Sequence, residues 1–197
     1  HGITREITKR KELQEKIEQL AYCDTLTKLP NRRSLDDKMS FIMSKSERSQ
    51  KYCALVFLDL DNFKPLNDTY GHNVGDLLLI EVANRLKNNI RKLDVVARIG
   101  GDEFVIILDE FDKDKDKSKE NILKVVEKIR LNLAEAYKFN IINESNENID
   151  IEHHCTASIG ICMFKGEQES PINIFKCADS VMYEAKELGR NRIKFYE

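Results

Sequence analysis

Three carboxylates and a pair of glycines carry the chemistry that this sequence offers. Asp102 and Glu103 follow Gly100-Gly101 directly, and Asp59 stands near the end of Cys53 to Leu60, a run otherwise apolar throughout. Oxygen ligands of this kind suit Mg²⁺, which is held by one or two carboxylates together with substrate phosphates and water. Adjacent glycines tolerate positive φ and, lacking side chains, let a bulky anion lie against the backbone. A cation held by Asp59, Asp102 and Glu103 would neutralise a triphosphate, activate an attacking hydroxyl and steady a pyrophosphate leaving group. Taken alone, Gly-Gly-Asp-Glu is also an ordinary acidic hairpin turn, and only its company makes it a site.

The acids can meet only if the strands that bear them are neighbours. Val95-Val96-Ala97 before the glycines and Val105 to Leu108 after the acids are short and β-branched, so the stretch Arg98 to Phe104 reads as the tip of a β-hairpin. The unbroken apolar run Cys53 to Leu60 predicts a central strand covered on both faces. An acid at the end of such a strand is costly unless something positive meets it.

Around these strands the pattern predicts helices. Pro30 forces Leu29 from the α region and Asn31 is a good N-cap for a helix from Arg32 into the 40s, with Leu35, Met39, Ile42 and Met43 on one face and a loop from Ser44 to Lys51. A short helix is expected over Asn62 to Thr69, with Asp61 as N-cap and Pro65 in its first turn. Gly71 and Gly75 then bracket a tight connection, and Asp76 opens a long helix through Leu77, Leu78, Ile80, Ala83 and Leu86. Asp112 to Glu120 alternates charge but puts Lys117 and Leu123 where a calcium loop needs glycine and a bidentate acid, so it reads as a solvated loop. Asn121 to Tyr137 is an amphipathic helix, Asn143 to Asn148 a turn, Ile149 to Phe164 a strand, Ile172 to Leu188 a helix stopped by Gly189, and Arg192 to Tyr196 a last strand. His153-His154 has no partner at metal-ligand spacing. The fold class is α/β, a mixed and largely antiparallel sheet flanked by helices.

Upstream, Thr4 to Ala21 is dense in helix formers, and Leu13, Ile17 and Leu20 give a coiled-coil seam that fails at Arg10 and Glu6. Residues 1–22 are therefore a connector or dimer stalk and 23–197 one domain, within the size that 197 residues allow. A formal net charge of −2 with 34% charged residues gives no basic excess, which argues against binding a nucleic-acid polymer. No apolar run approaches the ~20 residues of a membrane span, so no membrane contact is expected from this segment. Five scattered cysteines without a Cys-x-x-Cys pair read as reduced thiols of a cytoplasmic protein. The His1-Gly2 start reads as a boundary within a longer protein, whose upstream region could anchor it to a membrane.

From Asp24 to Tyr196 the chain resembles the GGDEF-domain diguanylate cyclases. Asp24 to Arg32 (Asp-Thr-Leu-Thr-Lys-Leu-Pro-Asn-Arg) resembles the family's entry motif, with Lys28 in place of its usual glycine. Phe57 to Lys64, Asn67-Asp68, Gly71-His72 and Gly75-Asp76 resemble the metal and guanine segment. Arg98 to Phe104 reproduces the signature, and Ala157 to Gly160, Ala178-Asp179, Met182-Tyr183, Ala185-Lys186 and Gly189 to Arg192 resemble the closing motifs.

The resemblance implies a palm-like fold related to nucleotide cyclases, and an enzyme that condenses two GTP into cyclic di-GMP with release of two pyrophosphates. It implies that Asp59, the carbonyl of Leu60 and Asp102 hold Mg²⁺ or Mn²⁺, with Glu103 a further metal-site acid or an aid in deprotonating the ribose 3′-hydroxyl; which of Asp102 and Glu103 assists stays open. Lys64, Lys186 and Arg190 would contact phosphates, and Gly100 and Gly101 would present backbone to the α-phosphate. Asn67 and Asp76 would read guanine, whose N1–H and N2–H are donors where adenine N1 is an acceptor. His72 either shapes that pocket or is structural. Arg91 and Asp94, with Lys92 and Leu93 between them, stand where the family has its inhibitory site for the product. The active species would be a homodimer, and the whole protein would carry an upstream sensor domain as part of bacterial signal transduction. Two rivals remain: a silent nucleotide-binding module, which typically lacks signature acids, and another purine cyclase or mixed dinucleotide synthase, which Asp76 disfavours.

Overall fold

The computed structural model describes residues 21–142 and 148–197. The N-terminal helix lies outside them, with its Leu13, Ile17, Leu20 seam, except that Ala21 and Tyr22 are helical. The turn read at Asn143 to Asn148 also lies outside them, apart from Asn148. No helix among the described residues is long and apolar enough to cross a membrane.

The chain runs α1 (Arg32–Ser49), β1 (Cys53–Leu60), α2 (Phe63–Tyr70), α3 (His72–Asn89), β2 (Val95–Gly100), β3 (Glu103–Leu108), α4 (Lys115–Ala134), β4 (Tyr137–Ile142), β5 (Asn148–His153), β6 (Ala157–Phe164), α5 (Pro171–Glu187) and β7 (Arg192–Phe195). Five strands form the main sheet in the order β2-β3-β1-β6-β7, antiparallel except for the β6–β7 pair, while β4 and β5 make a separate hairpin. The expected mixed, largely antiparallel sheet is therefore present.

All eight residues of β1 are buried, which is why its sequence shows no alternation. One face, through Ala54, Val56 and Leu58 with Phe104 and Ile106, packs on α3 and α4. The other, through Leu55, Phe57, Val105 and Ile107, packs on α1 and α5. Both layers converge on one end of the sheet, where β1 stops, β2 turns into β3 and β6 begins.

Several boundaries differ from the sequence reading, each for a local reason. Helix α1 continues through the expected loop to Ser49: no Gly or Pro interrupts it, and the buried Ser46 hydroxyl donates to Lys51 O (2.6 Å) and accepts from Gly166 N (2.9 Å). Helix α3 starts at His72 rather than Asp76, so Gly75 lies in its first turn and Leu77 points outward at 38% exposure. Helix α4 opens inside the expected solvated loop, because Asp114 caps it by accepting from Lys117 N at 2.9 Å. It ends at Ala134, and Tyr137 begins β4, a strand that helical patterning hid. The single strand expected over Ile149 to Phe164 is two, in different sheets. Asp61 does not cap α2; Asn62 precedes the helix in the left-handed region, and the Asp61 carboxylate turns back into the protein.

Candidate active site

Asp59 faces Glu103 across the β1–β3 ladder, one residue before β1 ends. Leu60 N–H donates to the carbonyl of Asp102 at 3.3 Å, so the hairpin turn is tied to the end of β1, and Leu60 itself is buried. Of the three expected acids, Asp59 and Glu103 thus come from adjacent strands and Asp102 from the turn between β2 and β3. Burial pushes Asp59 up; Lys186 opposes this from 2.8 Å, while Asp102 and Glu103 add repulsion, and the carboxyl ends at about 6. Burial also raises Glu103, helped by Asp179 and then Asp102. Among the described residues no three His, Cys, Asp or Glu side chains gather into a metal-holding group. The cation at Asp59 is the ammonium of Lys186. The donor set still fits a hard divalent ion, since Asp59 and Glu103, raised first by burial and then by neighbouring acids, are groups whose charged form a cation would favour.

The hairpin tip is shaped by glycine and held by arginine. The β2–β3 register shifts between Arg98 and Gly100, and Gly101 has φ of +48°, a left-handed conformation suited to glycine. Arg98 spans the turn, donating through Nε and Nη2 to Gly101 O (2.9 and 2.7 Å) and through Nη1 to both oxygens of Asp24 (3.0 and 3.2 Å). Burial works against the Asp24 carboxylate, yet bonds from Thr27 and Arg98 outweigh it and lower its pKa. Among the described residues, and apart from its chain neighbours, no atom lies within 4 Å of where a Cβ would stand on Gly100 or Gly101, so this backbone is open to a ligand.

Beyond the end of β1 in the chain, Asn67 sits in α2 and Asp76 in α3, joined through Gly71. A side chain on Gly75 would collide with the amide of Asn67, which lies over that glycine with the Phe63 ring beside it. Asn67 Oδ1 is buried and has no hydrogen-bond partner among the described residues. Such an orphan acceptor suits a ligand donor. Asp76, His72 at the start of α3 and Lys64 in the first turn of α2 are exposed.

The third wall is the end of α5. Gly160 of β6 lets it approach, because a Cβ there would strike the backbone of Ala178 and Met182. Close packing brings Lys186, in the last turn, to Asp59. Arg190 follows the helix, exposed. A shallow depression of about 360 Å³, lined in part by Arg32, Phe57, Glu103, Phe175 and Asp179, opens beside the hairpin.

Residues 21–192 match the family described as diguanylate cyclase, GGDEF domain. This chain is a GGDEF domain of the diguanylate cyclase family. It is 39% identical over 179 residues to the bifunctional diguanylate cyclase/cyclic di-GMP phosphodiesterase MucR of Pseudomonas aeruginosa, covering 91% of this chain and 24% of MucR. It is 33% identical to the response regulator PleD of Caulobacter vibrioides, over 89% of this chain and 36% of PleD. The chain thus spans well under two thirds of the length of these relatives. The coiled coil and GGDEF domain of DgcB from Caulobacter crescentus, solved in complex with c-di-GMP, superposes with a TM-score of 0.81 at 28% identity, covering 98% of this chain and 95% of that one.

Within this GGDEF domain, Arg91 and Asp94 precede β2, at the opposite end of that strand from the glycine turn and, at about 3.3 Å per residue, roughly 20 Å away. The Asp94 carboxylate accepts from Arg91 N (2.8 Å) and Asp109 N (3.0 Å), and the Arg91 guanidinium lies 5.1 Å from the centre of the Phe111 ring. Burial raises Asp94 despite those bonds. The structure therefore gathers Asp59, Asp102, Glu103 and Lys186 at one sheet end and leaves this pair apart. Arg98, Asp24, Gly75 and Gly160 are parts of the site's frame that were not singled out as site residues, although each lies inside or borders a motif that was.

Proposed function

We propose that this GGDEF domain condenses two GTP molecules into cyclic di-GMP with release of two pyrophosphates. The observation that carries the reading is the register of Asp59 with Glu103 at the β1 end, beside the Gly100-Gly101-Asp102 turn and with Lys186 against Asp59. Relatives named as diguanylate cyclases support the reading.

In this reading Asp76 and Asn67 accept from guanine N1–H and N2–H, and adenine would leave them unpaired. Lys64, Lys186 and Arg190 hold the phosphates, two as point charges and Arg190 as a fork. Gly100 and Gly101 offer backbone to the α-phosphate. Asp59, the Leu60 carbonyl, Asp102 and Glu103 would hold Mg²⁺ or Mn²⁺, which supplies charge neutralisation at the triphosphate and the pyrophosphate leaving group. Asp102 or Glu103 accepts the 3′-hydroxyl proton, and burial raises the proton affinity of Glu103. The 3′-oxygen then bonds to the partner nucleotide's α-phosphorus as the bond to the β-phosphate oxygen breaks. One domain has one set of these residues, so two domains face each other and the step occurs twice.

We assign Arg91 and Asp94 to binding of the product as feedback inhibitor, and an upstream sensor domain to the control of dimerisation. Incubating purified protein with GTP and Mg²⁺ and identifying the products tests the function: cyclic di-GMP and pyrophosphate in a 1:2 ratio are expected. Nucleotide binding without any product at high protein concentration would instead establish a silent module.

A further inference from the structure

Asp61 is a buried carboxylate, 4% exposed, two residues beyond Asp59 and outside any strand or helix. Its side chain has three donors. Oδ2 accepts from the Thr156 hydroxyl at 2.6 Å and from the backbone N–H of Asn191 at 3.0 Å, and Oδ1 accepts from the Ser158 hydroxyl at 2.7 Å. Its own N–H donates to Thr156 O at 2.8 Å. A buried charge is tolerable only when so solvated by the protein, and three aligned donors also fix where it sits. The partners on β6 and the loop before it explain how the end of β1 is anchored. The Asn191 bond has no such purely local explanation.

Asn191 and Arg190 lie in the turn between α5 and β7, both in the left-handed region, with φ of 45° and 62°. Asparagine tolerates that conformation, but for arginine it is unfavourable and needs support from its surroundings. The support is visible. Arg190 N–H donates to Ala185 O at 3.0 Å, Arg130 of α4 donates to Asn191 Oδ1 at 2.6 Å, and Asp61 takes the Asn191 N–H from beneath. Lys186, on the same helix end, reaches Asp59. The turn that carries Arg190 is thus bolted to the strand end that carries Asp59, through one carboxylate.

We propose that Asp61 is a positioning residue for the triphosphate: its carboxylate locks the Arg190–Asn191 turn to the end of β1, so that Arg190 and Lys186 address the phosphates held beside Asp59. The idea rests on the reading of Arg190 as a phosphate contact. It assigns Asp61 no contact with the nucleotide and no part in guanine recognition.

The test is calorimetric titration of the whole chain, at fixed Mg²⁺, with an α,β-methylene analogue of GTP, which binds without reacting, and with GMP. Asp61→Ala should weaken the analogue about tenfold and shift GMP by less than about twofold, the loss of one charge-assisted support at the phosphates. Asp61→Asn should stay near the parent, since its amide oxygen can still accept from Asn191 and Thr156 while its NH₂ turns to the Ser158 hydroxyl. Arg190→Ala should show the same selectivity for the analogue, and adding Asp61→Ala to it should cost little more. Equal weakening of analogue and GMP in a folded Asp61→Ala protein, or full additivity with Arg190→Ala, overturns the proposal. Should Asp61→Ala not fold, the double variant Thr156→Val, Ser158→Ala loosens the same carboxylate and must show the same bias, at about threefold; no bias there also overturns it. If Arg190→Ala itself leaves the analogue unaffected, the phosphate assignment fails, which is a different result from Arg190→Ala weakening binding while Asp61→Ala does not.

Discussion

Lys186 Nζ lies 2.8 Å from Asp59 Oδ2, so the last turn of α5 supplies the positive charge that the buried end of β1 requires. The contact explains why an acid persists where β1 is otherwise apolar, and it couples the position of α5 to the acid set. The helix can come this close because β6 has glycine at position 160 beneath Ala178 and Met182.

A first prediction follows from that close approach. Gly160→Ala must push α5 outward, since the obstacles to a Cβ are backbone atoms that cannot rotate away. Overpacking of this kind costs about 1–3 kcal/mol, and the displaced Lys186 should lower turnover as well. Urea denaturation and initial rates on one preparation check both. A variant as stable and as active as the parent would show that the packing has slack.

Removing the acids separates charge from shape. Asp59→Asn and Asp102→Asn keep side-chain size, and each should abolish formation of cyclic di-GMP, as should excess EDTA. Asp59→Asn should not destabilise the fold, because burial and two neighbouring acids already hold Asp59 unfavourably when ionised. Activity that survives EDTA would remove the metal from the mechanism.

Gly75→Ala should dissociate stability from specificity. Alanine favours a helix by up to about 1 kcal/mol over glycine, and the atom in its way is the end of the Asn67 side chain, which can swing aside. The protein should therefore be as stable or more so, while kcat/KM for GTP falls about tenfold and the preference over ATP shrinks. Asp76→Ser should relax the same preference. Thermal melts and paired GTP and ATP assays decide it, and an unchanged preference in both variants would place the guanine pocket elsewhere.

These predictions draw on features of unequal legibility. The β1 run, the Asn31 cap and the glycine turn were readable because each residue type answers a local demand: continuous burial, an orphan N–H, a positive φ. The role of Asp61 was not, since its partners Thr156, Ser158 and Asn191 stand 95, 97 and 130 residues away and only the folded sheet brings them in. Ser44 to Ser49 looked like a loop by polarity, yet contains nothing that stops a helix. Tyr137 reads as the last residue of α4 and Lys138 to Ile142 as no element at all, because the partner strand β5 lies across a polar stretch. Lys186 was assigned to phosphate from the motif alone, and its contact with Asp59 depends on how α5 lies across β6.

The hydrogen bonds that Asp24 accepts from Thr27, with the Arg98 clamp after them, outweigh its burial and give a pH dependence of known sign. Asp24 is lowered below its ordinary value near 3.8 in the folded chain. A depressed carboxylate binds its proton more tightly when unfolded, so its contribution to stability is present above about pH 4 and is lost as pH falls through the folded value. Asp24→Asn should therefore be less stable than the parent near neutral pH, with the gap closing in acid. Urea midpoints at about pH 6 and about pH 3 measure it. A gap that widened in acid would mean that the bonds from Thr27 and Arg98 do not govern Asp24.

The dependence of rate on protein concentration follows from stoichiometry. The domain has one Asp59, one Gly100-Gly101 turn and one Asn67–Asp76 pair, enough for a single GTP, whereas cyclic di-GMP joins two through reciprocal 3′-to-5′ bonds. In the proposed reaction two domains meet with each hydroxyl aligned on the other's α-phosphate before either bond forms. On the sequence reading, the seam at Leu13, Ile17 and Leu20 spans little more than one heptad, whereas a coiled coil shows such spacing over at least about 3–4 heptads. Initial rate at saturating GTP should thus rise more steeply than protein concentration, and fusing a strong parallel zipper in register ahead of the domain should raise specific activity at low concentration without changing GTP preference. Specific activity that stays constant for a species shown by sedimentation to be monomeric would refute the face-to-face mechanism.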